Sequence, residues 1–283
     1  MADLSIAQCA TLACLWEASA PKPGNVHRGA DFDDLTLYDF QSVAVVTGSV
    51  LAAAGRQGVG ETILQAVSAA RGVCQTNVNL GIILLLTPLA AVPPEQPLAS
   101  GVAEVLSNLD HRDCVCVYEA IRLAHPAGLG QADDMDVQQP PPDDLLSAMR
   151  AAASRDSVAR QYANHFQDVL QDIGPCLRDR YATSRSLAEA IVYAHVWTMS
   201  RWPDSLIARK CGNETAQQSA IRAARVLAAE EQGHDNYLQG LADFDFWLRT
   251  DGHRRNPGTT ADLIAAGLFS LLRDGRLEFP VRF

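Results

Sequence analysis

Three short polar cassettes interrupt an otherwise apolar chain, and each combines residue types suited to holding a charged ligand. The first is Pro21-Lys22-Pro23-Gly24-Asn25-Val26, running on to Gly29-Ala30-Asp31-Phe32-Asp33-Asp34. The second is Thr76-Asn77-Val78-Asn79-Leu80-Gly81, and the third is Asn256-Pro257-Gly258-Thr259-Thr260-Ala261-Asp262-Leu263. Each stands where a helix should begin, and a helix N-terminus offers unpaired N–H groups and positive dipole to a phosphate. Carboxylates beside a phosphate repel it unless a divalent cation lies between them. The Asp-rich first cassette therefore points to a metal–nucleotide site.

Each cassette also has a purely structural reading. An Asp before a helix caps it, but a cap uses one carboxylate, and Asp31, Asp33 and Asp34 fall within four residues. Oxygen ligands at that spacing suit Mg²⁺, which takes one or two carboxylates and completes its shell with phosphate oxygens and water. In the second cassette, Thr76 or Asn77 would cap the apolar helix that follows; the other amide, Asn79, would be free for a base, ribose or phosphate. Asn256-Pro257 reads as a cap followed by a helix-starting proline. Asp262 lies a turn further on, beyond capping range, and His253, Arg254 and Arg255 precede it. Asp204 is expected to cap a short helix ending before Gly212, with Arg209 and Lys210 on its last turn placed to hold an anion or simply to face solvent.

The elements that must position these groups are helices. Apolar residues recur at three- and four-residue intervals through Leu4–Ala18, Tyr38–Ala54, Glu61–Cys74, Asp113–Ala124, Leu145–Ala153, Val158–Ile173, Ser186–Trp202, Ala216–Ala229, Tyr237–Arg249 and Ala261–Leu272. Alternation of period two is nearly absent. The expectation is an all-α fold, a globular bundle of roughly a dozen helices around a central apolar helix in the Gly81–Val92 region, with Leu277–Phe283 as a short extended piece. Gly174-Pro175 reads as a break. The longest break, His125–Pro142, carries Asp133, Asp134 and Asp136 and marks a boundary or flap. The same helical pattern continues on both sides of it, so residues 1–283 are expected to form one domain.

A net charge of −10 argues against nucleic acid or an anionic membrane as the main partner. The apolar run from Gly81 is too short to span a bilayer, and Pro88 interrupts it. No basic, apolar leader follows Met1. Seven cysteines without repeated spacing fit reduced thiols in a cytoplasm. Cys114-Val115-Cys116 lacks a second ligand pair at zinc-site spacing. There is no Gly-x-x-x-x-Gly-Lys-Ser/Thr loop, no Gly-x-Gly-x-x-Gly, no Gly-x-Ser-x-Gly and no His-Glu-x-x-His.

Taken in order, the cassettes resemble the triphosphoribosyl-dephospho-CoA synthase family. The shared pattern is a Pro-Gly turn leading to Gly-Ala-x-x-Asp, an Asn-x-x-x-Gly opening an apolar helix, Asp204 through Arg209 and Gly212, and a terminal Pro-Gly-x-x-Ala-Asp-Leu. The resemblance implies an all-α fold and a reaction in which a ribose 2′-hydroxyl of dephospho-CoA attacks C1′ of the ATP ribose and displaces adenine. Asp31 stands where the family has His in Gly-Ala-His-x-Asp. The family's Asn-Thr-His-Lys-Gly becomes Asn77-Val78-Asn79-Leu80-Gly81, so a cation suited to the triphosphate is lost at Leu80. These departures resemble a divergent branch of the family, with dephospho-CoA or another ribosyl or pterin compound as the acceptor.

Such chemistry assigns Asp33 and Asp34 to Mg²⁺, with Asp31 as third ligand or general base. Asn77 and Asn79 would bind ribose or base, with Asn256 as a further nucleotide-binding amide. Lys22, Arg209 and Lys210 would neutralise phosphate, and Asp262 would orient the metal's waters or an amide. Two alternatives keep ATP: a kinase or other transferase on a phosphoribosyl intermediate of a tetrahydromethanopterin-type cofactor, and a nucleotide-binding regulator without turnover. Monomer and homodimer both remain open.

Overall fold

Two helices that are apolar on every side organise the protein. In the computed structural model, which describes residues 4–126 and 135–283, they are the fifth and fifteenth of the α-helices in those residues. The chain runs through α1 (Ile6–Ser19), α2 (Leu37–Leu51), α3 (Ala54–Gln57), α4 (Val59–Val73) and α5 (Leu80–Ala91). It continues with α6 (Leu98–Ser107), α7 (His111–Ala124), α8 (Leu145–Ala152), α9 (Ser157–Ala163) and, after a π-helical turn at Asp168–Ile173, α10 (Gly174–Ser184). The last five are α11 (Leu187–Arg201), α12 (Ser205–Cys211), α13 (Asn213–Glu230), α14 (His234–Arg249) and α15 (Gly258–Arg273). The described residues contain no strand, as an all-α reading requires; two isolated bridges, His27 to Ala30 and Phe32 to Leu35, tighten the first cassette.

A helix apolar all round must be enclosed. In α5 the residues from Ile82 to Ala90 are all buried, and α15 buries every residue from Leu263 to Leu272. They pack on one another within the main apolar cluster, with α1, α4, α9 and α10 around them. A second cluster joins α12, α13 and α14 through Val196, Met199, Ile207, Phe244 and Leu248. Helix α11 serves both, with Leu187, Ile191 and Ala194 in the first and Val196 and Met199 in the second. No helix of the described residues is long and apolar enough to cross a membrane.

The structure departs from the periodicity in three places. Val158–Ile173 is not one helix. The chain leaves α9 after Ala163, passes through His165 and Phe166 at φ 55° and 60°, and re-enters as a π-helical turn. The buried Asp168 carboxylate explains the fold-back, since it accepts from Arg160 Nε (2.7 Å), Gln161 Nε2 (2.7 Å) and Asn164 Nδ2 (3.1 Å). Gly174-Pro175 does not break the chain but starts α10, where a missing N–H is harmless. Leu277–Phe283 forms no strand. Residues 127–134 of the His125–Pro142 connection, with Asp133 and Asp134, lie outside the described residues.

Pro88 inside α5 shows how the core accepts a helix defect. Proline has no N–H to donate to the carbonyl four residues back, and an unpaired buried carbonyl is costly. Tyr162 supplies the missing donor, its hydroxyl bonding the Leu84 carbonyl at 2.7 Å from a fully buried position. Burial raises the Tyr162 phenol far above its ordinary pKa and keeps it the donor. Tyr162→Phe is expected to lower unfolding free energy by about 1–3 kcal/mol, measured by urea denaturation.

Candidate functional site

The third cassette is positioned by a carboxylate from another helix. Asp204, 2% exposed, caps its own helix α12 by accepting from the Leu206 and Ile207 N–H groups, both at 2.9 Å through Oδ1. Its Oδ2 accepts from the Thr260 N–H and hydroxyl, each at 2.7 Å, and so also caps α15. The sequence assigned that second cap to Asn256. Instead Pro257 occupies the cap position, and the Asn256 amide oxygen accepts from Asn25 Nδ2 of the first cassette at 2.8 Å. Gly24, beside it, sits at φ +77° with its N–H on Asp245 Oδ1 at 2.7 Å, and an added Cβ would lie 2.9 Å from Pro257. Arg249 ties the two segments further, pairing with Asp245 and donating to the Asn25 carbonyl.

The second cassette reaches the third through a glycine. A Cβ placed on Gly81 would lie 2.0 Å from Asp262 Oδ2, so only glycine lets α5 and α15 approach this closely. Asn77 performs the capping expected of one amide, accepting from the Leu80 N–H at 3.2 Å. Asn79 does not: it is 3% exposed, and neither its amide nitrogen nor its oxygen has a partner among the described residues. Buried amides without partners are rare in folded proteins and call for an explanation. Leu80 joins the apolar core.

Asp262 likewise makes no hydrogen bond or ion pair among the described residues. It keeps a partly exposed edge, yet protein surrounds it closely enough that desolvation, followed by repulsion from Glu17 and Asp204, holds its pKa well above the ordinary carboxylate range. Arg209 is an opposing charge that partly counters this, and it is already paired with Asp156, the cap of α9. The Ser157 N–H donates to Ser205 Oγ at 3.3 Å. The N-termini of α5, α9, α12 and α15 are thus linked into one cluster beside Asn79 and Asp262, with N–H groups of each already bonded to Asn77, Asp156 or Asp204.

Other residues singled out from sequence are placed differently. Lys22 is not available to a phosphate: it is fully buried, 2.9 Å from the buried Glu17 carboxylate, and it also donates to the Glu17 and Ala20 carbonyls. An ammonium has three protons, and all three are used. Lys210 donates to the His253 carbonyl at 3.2 Å, and burial lowers its pKa. Asp31 accepts from the Leu37 N–H at 2.7 Å at the start of α2. Asp33 and Asp34 are exposed at the tip of the Phe32–Leu35 turn. Asp34 stands 3.5 Å from His253 Nε2, and Asp33 has no partner among the described residues. Among those residues no three acidic, histidine or cysteine side chains gather as a metal cage, so Asp31, Asp33 and Asp34 do not form one.

Sequence reasoning missed Glu17, Asn25, Asp156 and His195. Glu17 left a signal, being a carboxylate among Cys9, Ala10, Ala13, Cys14 and Ala18, the buried residues of α1. His195, fully buried near Lys22 with a pKa lowered by burial, left none.

The sequence model of the ATP:dephospho-CoA triphosphoribosyl transferase family matches residues 3–279. The chain belongs to this family. A solved chain from Archaeoglobus fulgidus, described as a candidate triphosphoribosyl-dephospho-CoA synthase, is similar in fold, with a TM-score of 0.64 at 24% identity over 82% of this chain and 98% of that one. No curated protein matches the sequence. The resemblance read from the cassettes and the all-α expectation therefore stand.

Two stability predictions follow from the shared cap and the unpaired carboxylate. Asp204→Ala is expected to cost about 3–5 kcal/mol, with Asp204→Asn losing roughly half as much, in chemical denaturation. Asp262→Asn is expected to stabilise the protein at neutral pH, raising Tm by a few degrees. The folded Asp262 carboxyl ionises less readily than in the unfolded chain, so wild-type stability falls as pH rises from the ordinary carboxylate range through its raised value. The advantage of the Asn variant should close below about pH 4, measured by thermal unfolding across pH.

Proposed function

We propose that this protein transfers the triphosphoribosyl group of ATP to the ribose 2′-hydroxyl of dephospho-CoA with release of adenine. Family membership across residues 3–279 supports the reaction class. What supports the site assignment is the unpartnered Asn79 amide, two residues before the Gly81 against which the Asp262 carboxylate packs.

In the proposed step the acceptor oxygen bonds to C1′ of the ATP ribose as the C1′–N9 bond breaks. Adenine leaves with the electron pair and takes up a proton, while the hydroxyl proton passes to Asp262. A carboxylate with raised proton affinity suits that role. Asn79 would hydrogen-bond the ribose or base edge. Arg209 would meet the triphosphate, a task from which Lys22 is withdrawn.

ATP would enter as its Mg²⁺ complex. A cation held chiefly by phosphate oxygens and water needs only one or two carboxylates, and the exposed Asp33 and Asp34 fit that demand without a preformed cage. Bound there, Mg²⁺ would screen the triphosphate charge. Seven free thiols support a reducing, cytoplasmic setting.

Chromatography of ATP incubated with protein, Mg²⁺ and dephospho-CoA tests the reading. Free adenine and a triphosphoribosylated acceptor should appear in equal amounts. Asp262→Asn should reduce kcat by about 10²–10⁴-fold with its fold intact. ADP or AMP with a phosphorylated acceptor would instead place the attack at phosphorus and refute the assignment.

A further inference from the structure

The described residues form a cleft of about 340 Å³ between the turn from α8 to α9 and the start of α13, within the usual size of a small-molecule site, about 300–1,000 Å³. It shares no residue with the Asn79–Asp262 pair. One carboxylate lines it, Asp156, and that group is already committed. Its Oδ1 accepts from the Val158 and Ala159 N–H groups at 2.8 and 3.2 Å, and its Oδ2 pairs with Arg209.

The donors in the lining, by contrast, are free. Arg155 is exposed and has no carboxylate partner among the described residues; its hydrogen bond goes to the Ala151 carbonyl at 3.5 Å. Asn213 and Gln217 are exposed, and their side-chain amides have no partner among the described residues. Arg160 is fixed in place, with Nε on Asp168 at 2.7 Å and its guanidinium over the Trp202 ring at 5.0 Å. Its Nη2 is buried, whereas Nη1, neither buried nor bonded, stays open to a ligand. Arg201 lies over the same ring at 5.6 Å, and it too lacks a carboxylate partner among the described residues. Arg155 and Arg201 thus stand uncompensated beside one cleft in a protein of net charge −10.

An excess of donors and cations over acceptors selects an oxyanion, and a guanidinium already held by a carboxylate and a ring presents its N–H groups with less loss of side-chain entropy. We infer that this cleft is a binding site for a phosphorylated small molecule, with Arg155 and Arg160 toward its phosphate and Asn213 and Gln217 toward the remainder. A lone phosphate would leave most of the cleft empty. Arg155 and Gln217 belong to neither apolar cluster, so both can be changed without disturbing the core.

Calorimetric titration of inorganic pyrophosphate, without divalent metal, into wild type, Arg155→Glu, Gln217→Glu and Arg225→Glu tests the site. Arg225 is exposed on α13 and does not line the cleft, so its reversal repeats the charge change of Arg155→Glu elsewhere on the surface. Arg155→Glu is expected to weaken binding at least about tenfold and Gln217→Glu at least about threefold, with Arg225→Glu within about twofold of wild type. A wild type that does not bind pyrophosphate, cleft variants that bind it as wild type does, or an equal loss in Arg225→Glu would each overturn the inference. With saturating Mg-ATP present, persistence of the Arg155-dependent binding assigns the cleft to a separate phosphorylated ligand, and its loss assigns the cleft to the phosphates of the nucleotide.

Discussion

One carboxylate caps two helices, and the geometry of the site follows from that sharing. Asp204 is withdrawn from water and accepts four hydrogen bonds, two from its own helix and two from α15. Four donors offset only part of the desolvation of that charge, since burial still raises the Asp204 pKa. Sharing fixes the start of α12 against the start of α15 and thereby sets where Asp262 stands. Gly81 then admits α5 to within contact of that carboxylate, and Ser157 and Asp156 attach α9.

Bringing helix starts together gathers unpaired N–H groups, and the side chains of Asn77, Asp156 and Asp204 accept from them. Asp204 and Asp156 are consumed as caps; Asp262 and the Asn79 amide are left over. A buried polar group without a partner destabilises a fold. Its retention next to an unpaired carboxylate is therefore what marks this spot as a working site rather than a structural junction. Lys22 shows the opposite outcome: matched to Glu17 and two carbonyls, it is a structural ion pair that locks the exit of α1 to the first cassette.

The helical class, most of the helices and their apolar faces were legible in the sequence, because burial on one side imposes a three-to-four-residue period. The family pattern was legible too, since it lies in short runs of neighbouring residues. What periodicity cannot register is a side-chain bond that interrupts it. Val158–Ile173 keeps its apolar spacing through the π-helical turn, yet Asp168 draws three side chains back and divides the segment. Likewise Gly174-Pro175 carries the same residues whether it ends one helix or starts another, and only the preceding backbone decides.

The sequence by itself determined which polar residues stand at helix starts, and it singled out Asn79 and Asp262 as amide and carboxylate with no capping duty. Tertiary structure alone decided how the remaining charges were spent: Lys22 on Glu17, Arg209 on Asp156, Asp31 on the first turn of α2, and Asn256 on Asn25 rather than on its own helix. The reason is physical. Capping is local and can be read from neighbours along the chain, but whether a polar group is free depends on which partner the folded chain presents, nearby for Lys22 and Asp31 and on distant helices for Arg209 and Asn256, and on how much water packing has removed from around it.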